Sequence, residues 1–473
     1  MTTEDDVRTA LHRAADDLGH PVVPHRVLAA GLRETGRRRR RRRIGIAAAG
    51  VAVAVVVTAV PVGIAALRTD PPTTATPVVP EVDVLGLAPR GSLAGDRAFL
   101  DALVQQPWVV PGTTPEDAPD APVATRRVAF AGDVPGGRWA LVVGENPTPS
   151  TLPAEQQTDL GAMSGVAGVW FVGPVGAAAD QLAPVTYPRG LPTDQVQSLS
   201  DPATGTVVVL AAPGDEIALS DRPDIAADAT VTRTWTDVGA ADGLGVGALP
   251  VGDVGGYRTA GQYRVTRDGI VVQRQSPDQL GRQDDAEVPV IPIDHPRGSV
   301  PGADLMDQVH AAELLGTTGL SIAEVGFQVV WSGAIPGPDD DPTYATVLVA
   351  TLPSGAMLVQ GTDLRDLGDG GYGGGVDVLQ LFPAGAPTDL VVAMRTAVSG
   401  DGGRGTVTSL VVAVPDGAVQ VTALDEDGGR LGTFPVAGGA AVAPFPDGTT
   451  AVEVAFADGS TRTAALGSYT GDL

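Results

Sequence analysis

An uninterrupted run of 24 uncharged residues, Ile44 to Leu67 (IGIAAAGVAVAVVVTAVPVGIAAL), sets the first limit on how this chain can be arranged. At ~1.5 Å rise per residue a helix of that length reaches ~36 Å, enough to cross the ~30 Å hydrocarbon core of a bilayer with some tilt. Pro61 falls near the far end of the run, where the interface can satisfy the carbonyl it frees. Seven consecutive arginines, Arg37 to Arg43, precede the run, whereas Arg68 and Asp70 follow it. The positive-inside rule therefore predicts one transmembrane helix over 44–67, a cytoplasmic tail over 1–43 and an extracytoplasmic remainder. The arginines double as an anchor on lipid headgroups. A cleaved export signal is the competing reading, since Arg42-Arg43 opens an apolar stretch. The length of the run, well beyond the ~7–15 apolar residues of such signals, favours an uncleaved signal anchor.

Charge divides across this segment. The first 43 residues carry 11 arginines and 6 acids, net +5, and the rest carries 20 arginines and 50 acids, net −30. A surface with that excess repels nucleic acid and attracts cations or basic partners, so no nucleic-acid partner is expected. The chain has neither cysteine nor lysine, which removes disulfides, thiolate metal sites, thiol nucleophiles, P-loops and Schiff-base lysines together. Arginine as the sole base, with Asn146 the single asparagine, reads as codon bias of a GC-rich, actinobacterial type of genome.

In the tail, Thr3-Glu-Asp-Asp6 fits a capping box, and Val7, Leu11, Ala14 and Leu18 follow at helical spacing, forming a partner face. The order of acidic amphipathic helix, arginine run, Ala/Val-rich helix and large β-rich exterior resembles actinobacterial single-pass membrane proteins of the anti-sigma-factor-like kind. The resemblance covers residues 1 to about 67 and implies a cytoplasmic regulatory partner such as a sigma factor. The His-x3-Cys-x2-Cys motif of zinc-containing anti-sigma domains has no counterpart in this cysteine-free chain.

Past the anchor, the Pro/Thr-rich stretch 68–89 is expected to be an extended spacer. The exterior then repeats itself. Val128 to Gly136 (VAFAGDVPG) aligns with Val329 to Gly337 (VVWSGAIPG) at an offset of 201, with Gly132, Pro135 and Gly136 matched by Gly333, Pro336 and Gly337. A helix over Arg97–Gln105 corresponds to one around Leu305–Ala311, Gly168–Pro174 corresponds to Gly375–Pro383, and Val209–Pro213 to Val411–Pro415. Period-two runs such as Val452 to Phe456 read as half-buried strands, and Asp268-Gly269 and Asp458-Gly459 as type I′ hairpin turns. The expected fold is mainly β: two tandem, duplicated β-sandwich or barrel-like units over 90–275 and 302–473, each with a short helix, joined by a linker over 276–301.

Residues for chemistry are sparse. Beyond the tail the histidines are His295, in the proline-rich linker, and His310, on the helix of the second unit, so neither a histidine metal cluster nor a Ser/His/Asp set is predicted. Ser164 lacks the spacing of a nucleophile elbow. The glycine-rich runs 243–247 and 370–375 read as loops or bulges, and the acidic groups 339–341, 363/366/369 and 425–427 as solvated turns without the Asp-x-Asp-x-Asp-Gly…Glu order of a calcium loop. The sequence thus predicts no catalytic residue, cofactor or metal. It predicts a membrane-anchored protein that binds or senses an extracytoplasmic ligand or the cell wall, with regulatory contact through its tail. The alternatives are a structural envelope protein and an exported hydrolase using acidic residues.

Overall fold

The computed structural model of the chain describes residues 81–109, 118–147, 164–251, 260–280, 290–300, 303–338, 342–366, 372–399 and 406–468. Within them the protein is mainly β, with several antiparallel sheets and two α-helices. Among the described residues no helix is long and apolar enough to cross a membrane. The anchor residues Arg37, Arg43, Ile44, Pro61 and Leu67 and the tail face Val7, Leu11, Ala14 and Leu18 lie outside them.

Helix α1 (Arg97–Leu103) begins at Asp96, whose carboxylate accepts from the Phe99 amide at 3.0 Å, a side-chain N-cap. It ends two residues short of the predicted Gln105. Phe99 and Leu103, one helical turn apart, bury against one face of a meander formed by β1 (Arg127–Val134), β2 (Gly137–Glu145) and β3 (Val166–Gly173). Short strands β4 (Ala183–Pro184) and β5 (Arg189–Gly190) both pair with β3.

Seven further strands form two sheets: β6 (Gln197–Ser200), β7 (Thr206–Leu210), β8 (Glu216–Ser220) and, after a separate hairpin of β9 (Pro223–Ile225) and β10 (Val231–Arg233), β11 (Thr236–Asp237), β12 (Leu244–Ala248), β13 (Gln262–Arg267) and β14 (Ile270–Gln275). One sheet has the order β6-β7-β12 and the other β11-β8-β13-β14, the Greek-key order of an immunoglobulin-like sandwich whose fourth strand lies beside the third. Strand β7 (TVVVL) is buried along its whole length because it has apolar neighbours on both faces. Val207 and Val209 meet Ile217, Tyr263 and Val265 of the facing sheet, while Val208 and Leu210 meet Leu141, Val143 and Trp170 of the meander. A continuous apolar run is what a doubly covered strand requires. The block is therefore four layers: helix, meander, three-stranded sheet, four-stranded sheet.

The second block repeats this stack. Strand β15 (Ile293–Asp294) leads to helix α2 (Ala303–Thr318), which packs on a meander of β16 (Gly326–Ala334), β17 (Thr343–Thr351), β18 (Met357–Asp366) and β19 (Tyr372–Phe382). Then β20 (Val392–Ser399), β21 (Thr406–Ala413), β22 (Ala418–Leu424), β23 (Arg430–Pro435), β24 (Ala440–Pro444), β25 (Ala451–Phe456) and β26 (Thr461–Ala465) form sheets of order β20-β21-β24 and β23-β22-β25-β26. The order matches the first sandwich strand for strand once the β9–β10 hairpin is set aside. In β21, Val411 and Ala413 face the meander while Leu410 and Val412 face the four-stranded sheet.

Finer details recur as well. The register of β1 on β2 shifts between Val128 and Phe130, and that of β16 on β17 between Val329 and Trp331, at the same offset of 201 that aligns the sequences. In both blocks the segment before the helix pairs parallel with the first meander strand, through Arg90 with Phe130 and through Ile293 with Phe327. Gly243 and Gly439, at φ of +73° and +84°, occupy equivalent turns before β12 and β24, where only glycine adopts that backbone without strain. The alignment of Gly168–Pro174 with Gly375–Pro383 does not follow the pairing: β3 lies beside β2, whereas β19 lies one strand further out, beside β18.

Several local expectations change. Val84 and Leu85, inside the predicted spacer, are buried in the first core, and the described parts of 276–301 are built into the blocks: Ser200 bonds Asp278 and Leu280 through the backbone, and Ile291 is buried under α2. Leu244–Ala248 is strand β12 rather than a loop. Its glycines 245 and 247 leave room for Ile217 and Leu219, and a Cβ on Gly247 would stand 2.6 Å from Leu219 Cδ1. Tyr372–Gly375 likewise starts strand β19. Asp268-Gly269 is the predicted two-residue turn, both residues at positive φ, but Asp458-Gly459 sits in a longer turn closed by the Asp458 carboxylate on the Ser460 amide at 2.8 Å. The Asp425 carboxylate similarly accepts from the amides of Asp427 and Gly429, closing the β22–β23 turn.

Candidate functional site

The helix-to-meander layer differs between the blocks, and the difference concentrates polar side chains in the second. The inward stripe of α1 is Phe99 and Leu103. The inward stripe of α2 is Ala303, Asp307, Ala311, Leu314 and Thr318, each at most 2% exposed, so a carboxylate sits within the stripe. Asp304 lies one turn earlier and is exposed, and His310 lies one turn later and is buried. The underlying meander is polar at this end, with Thr346 and Thr362 paired across β17 and β18 and both buried.

His295, in the loop between β15 and α2, folds back onto this helix. Its Nε2 lies 3.1 Å from Asp307 Oδ2 and its Nδ1 lies 3.2 Å from the Ile293 carbonyl oxygen. Ligating atoms of His295, Asp304 and Asp307 all lie within 4.8 Å of one another. Burial pushes the Asp307 carboxyl above the ordinary carboxylate range, with the Asp304 charge adding to the push, against the opposing pull of His295 and the Thr346 hydroxyl. Asp307 Oδ1 is buried with no hydrogen-bond partner. By sequence alone His295 falls in a linker and His310 on a helix. What brings His295 to Asp307 is the parallel pairing of β15 with β16, which fixes where the loop turns back. The available sequence signal was Asp304-x2-Asp307-x2-His310, three polar residues at i, i+3 spacing on a helix whose stripe continues in Ala and Leu.

Other candidates resolve into structure. The Ser164 hydroxyl donates to the Leu191 carbonyl, which holds a loop end. A cavity of about 270 Å³ opens where the β9–β10 hairpin meets the end of α2 and the β17–β18 turn, lined by Arg222, Asp224, Thr232, Thr318, Leu320 and Pro353. It flanks the backbone bonds from Ala260 to Gly316 and from Ala384 to Ala227, both 2.7 Å, that hold the two blocks together. The cavity is therefore part of their junction. The chain matches no family model, no curated protein and no solved structure.

Proposed function

We propose that this chain is a non-enzymatic, single-pass membrane protein whose duplicated β region is held outside the cell to bind or sense an extracytoplasmic ligand or the cell wall, with the tail contacting a cytoplasmic regulator. The observation that carries the reading is the repetition of one four-layer stack, down to the bulges at Val128 and Val329, behind a segment with the length and charge flanks of a membrane anchor. Two copies of an immunoglobulin-like sandwich give large, rigid, loop-tipped surfaces of a kind used for recognition, and fold alone does not select the ligand. The internal match of sequence and pairing supports duplication of one ancestral unit. The net charge of −30 beyond the anchor favours basic or cationic ligands.

The test is retention of the detergent-solubilised chain on cell-wall preparations, against a protein of equal net charge, together with capture of cytoplasmic proteins on residues 1–43. Specific retention, or a captured partner lost on changing Val7, Leu11 and Leu18 to Ala, supports binding. Retention equal to the charge-matched control together with no captured partner contradicts it.

A further inference from the structure

The ring nitrogens of His295 each face an oxygen, Nδ1 that of the Ile293 carbonyl at 3.2 Å and Nε2 that of the Asp307 carboxyl at 3.1 Å. If Nδ1 carries the proton it donates to the Ile293 carbonyl, and the lone pair of Nε2 then faces a carboxylate oxygen at 3.1 Å. If Nε2 carries the proton, the Nδ1 lone pair faces the carbonyl oxygen at 3.2 Å instead. A proton shared between the ring and the Asp307 carboxyl also satisfies the Nε2 contact. It would leave Asp307 Oδ1 buried without a partner, and it would not account for Asp304 converging on the same point.

The geometry points to a divalent transition-metal ion of the Zn²⁺ class, held by His295 Nε2 and by carboxylate oxygens of Asp304 and Asp307. One imidazole nitrogen with two carboxylates suits such an ion, whereas Ca²⁺ takes some 6–8 oxygen ligands. The bond from His295 Nδ1 to a backbone carbonyl is the outer contact that turns the other nitrogen's lone pair toward a metal. Ligand atoms at ~2.0–2.2 Å from Zn²⁺ lie no more than about 4.4 Å apart, so the group closes on an ion by a small movement of the exposed Asp304 side chain. In the first block the buried residues of the corresponding helix, Phe99 and Leu103, are apolar, and no such group occurs there among the described residues. Bound at this place, the ion ties the segment entering the second block to its helix, and its binding adds to the stability of that block.

The experiment is Zn²⁺ titration of the full chain in detergent after chelation, in excess Mg²⁺ to occupy the diffuse acidic surface, read by calorimetry and by the melting temperature. One ion per chain is expected, with a rise in melting temperature of at least about 3 °C. Affinity should fall at least tenfold in His295→Gln and in Asp304→Asn. Because Asp304 is exposed, its replacement leaves the fold intact and isolates the ligand role. Absence of saturable uptake, or uptake equal to wild type in both variants, overturns the proposal.

Discussion

The guanidinium of Arg90 donates to the Ala211 carbonyl at 2.7 Å across 121 residues of sequence, joining the segment before helix α1 to the end of strand β7. A second donation, to Val84 at 3.0 Å, holds the entering chain on the same core. Arg297 does the equivalent in the second block, donating to Val414 just past β21 at 2.9 Å. These arginines bridge each helix-meander pair to its sandwich.

Replacing Arg90 by Met should therefore cost about 2–3 kcal/mol, because two carbonyls lose a charged donor in a buried setting. The matching change at Arg297 should cost less, since its carboxylate partner Asp416 is 94% exposed and that pair is screened. Chemical denaturation of both variants checks the order.

Leu210 is fully buried on the face of β7 that meets the meander. Leu210→Ala should lower stability by about 2–5 kcal/mol. Trp139 and Trp170 share its cluster, so their fluorescence should report the loosened layer.

At Gly247 a side chain would run into Leu219 and Val238. Gly247→Val should cost about 1–3 kcal/mol by overpacking, whereas a surface loop would tolerate it. Thermal melts distinguish the two.

Burial pushes the Tyr263 phenol well above its ordinary value, although Ser198, Gln275 and Gln273 pull the other way. The unfolded chain ionises this phenol near ~10 and the folded chain does not, so its contribution is complete below pH ~10 and is lost as pH rises further. Tyr263→Phe should flatten that alkaline loss. It should also cost about 1–3 kcal/mol at neutral pH, because Gln273 and Gln275 then lose the oxygen to which they donate at 2.9 and 2.7 Å.

What the sequence reveals here depends on how local the cause is. The Asp268-Gly269 turn and the inward Val452 and Val454 follow from residue chemistry and period, and both are found. The repeat is legible because Val128 and Val329 at the bulges and the glycines and proline of the turn that follows, Gly132, Pro135 and Gly136 with Gly333, Pro336 and Gly337, are shared. Val419 shows the limit: it shares the period of Val421 and Ala423, yet a register shift between Ala418 and Gln420 leaves it 50% exposed. Gly245 and Gly247 look like loop residues until the facing sheet is known. His295 reaches Asp307 only through a tertiary turn that no spacing encodes.

The most direct test of an anchored, outward-facing β region uses the absence of cysteine. Val290, 87% exposed in the second-block approach, and Thr3 in the tail are each changed to Cys and probed with a membrane-impermeant maleimide on intact cells. Labelling of Val290→Cys on intact cells, with labelling of Thr3→Cys only after lysis and both chains in the membrane fraction, is the predicted result. Labelling of Val290→Cys only after lysis would contradict it.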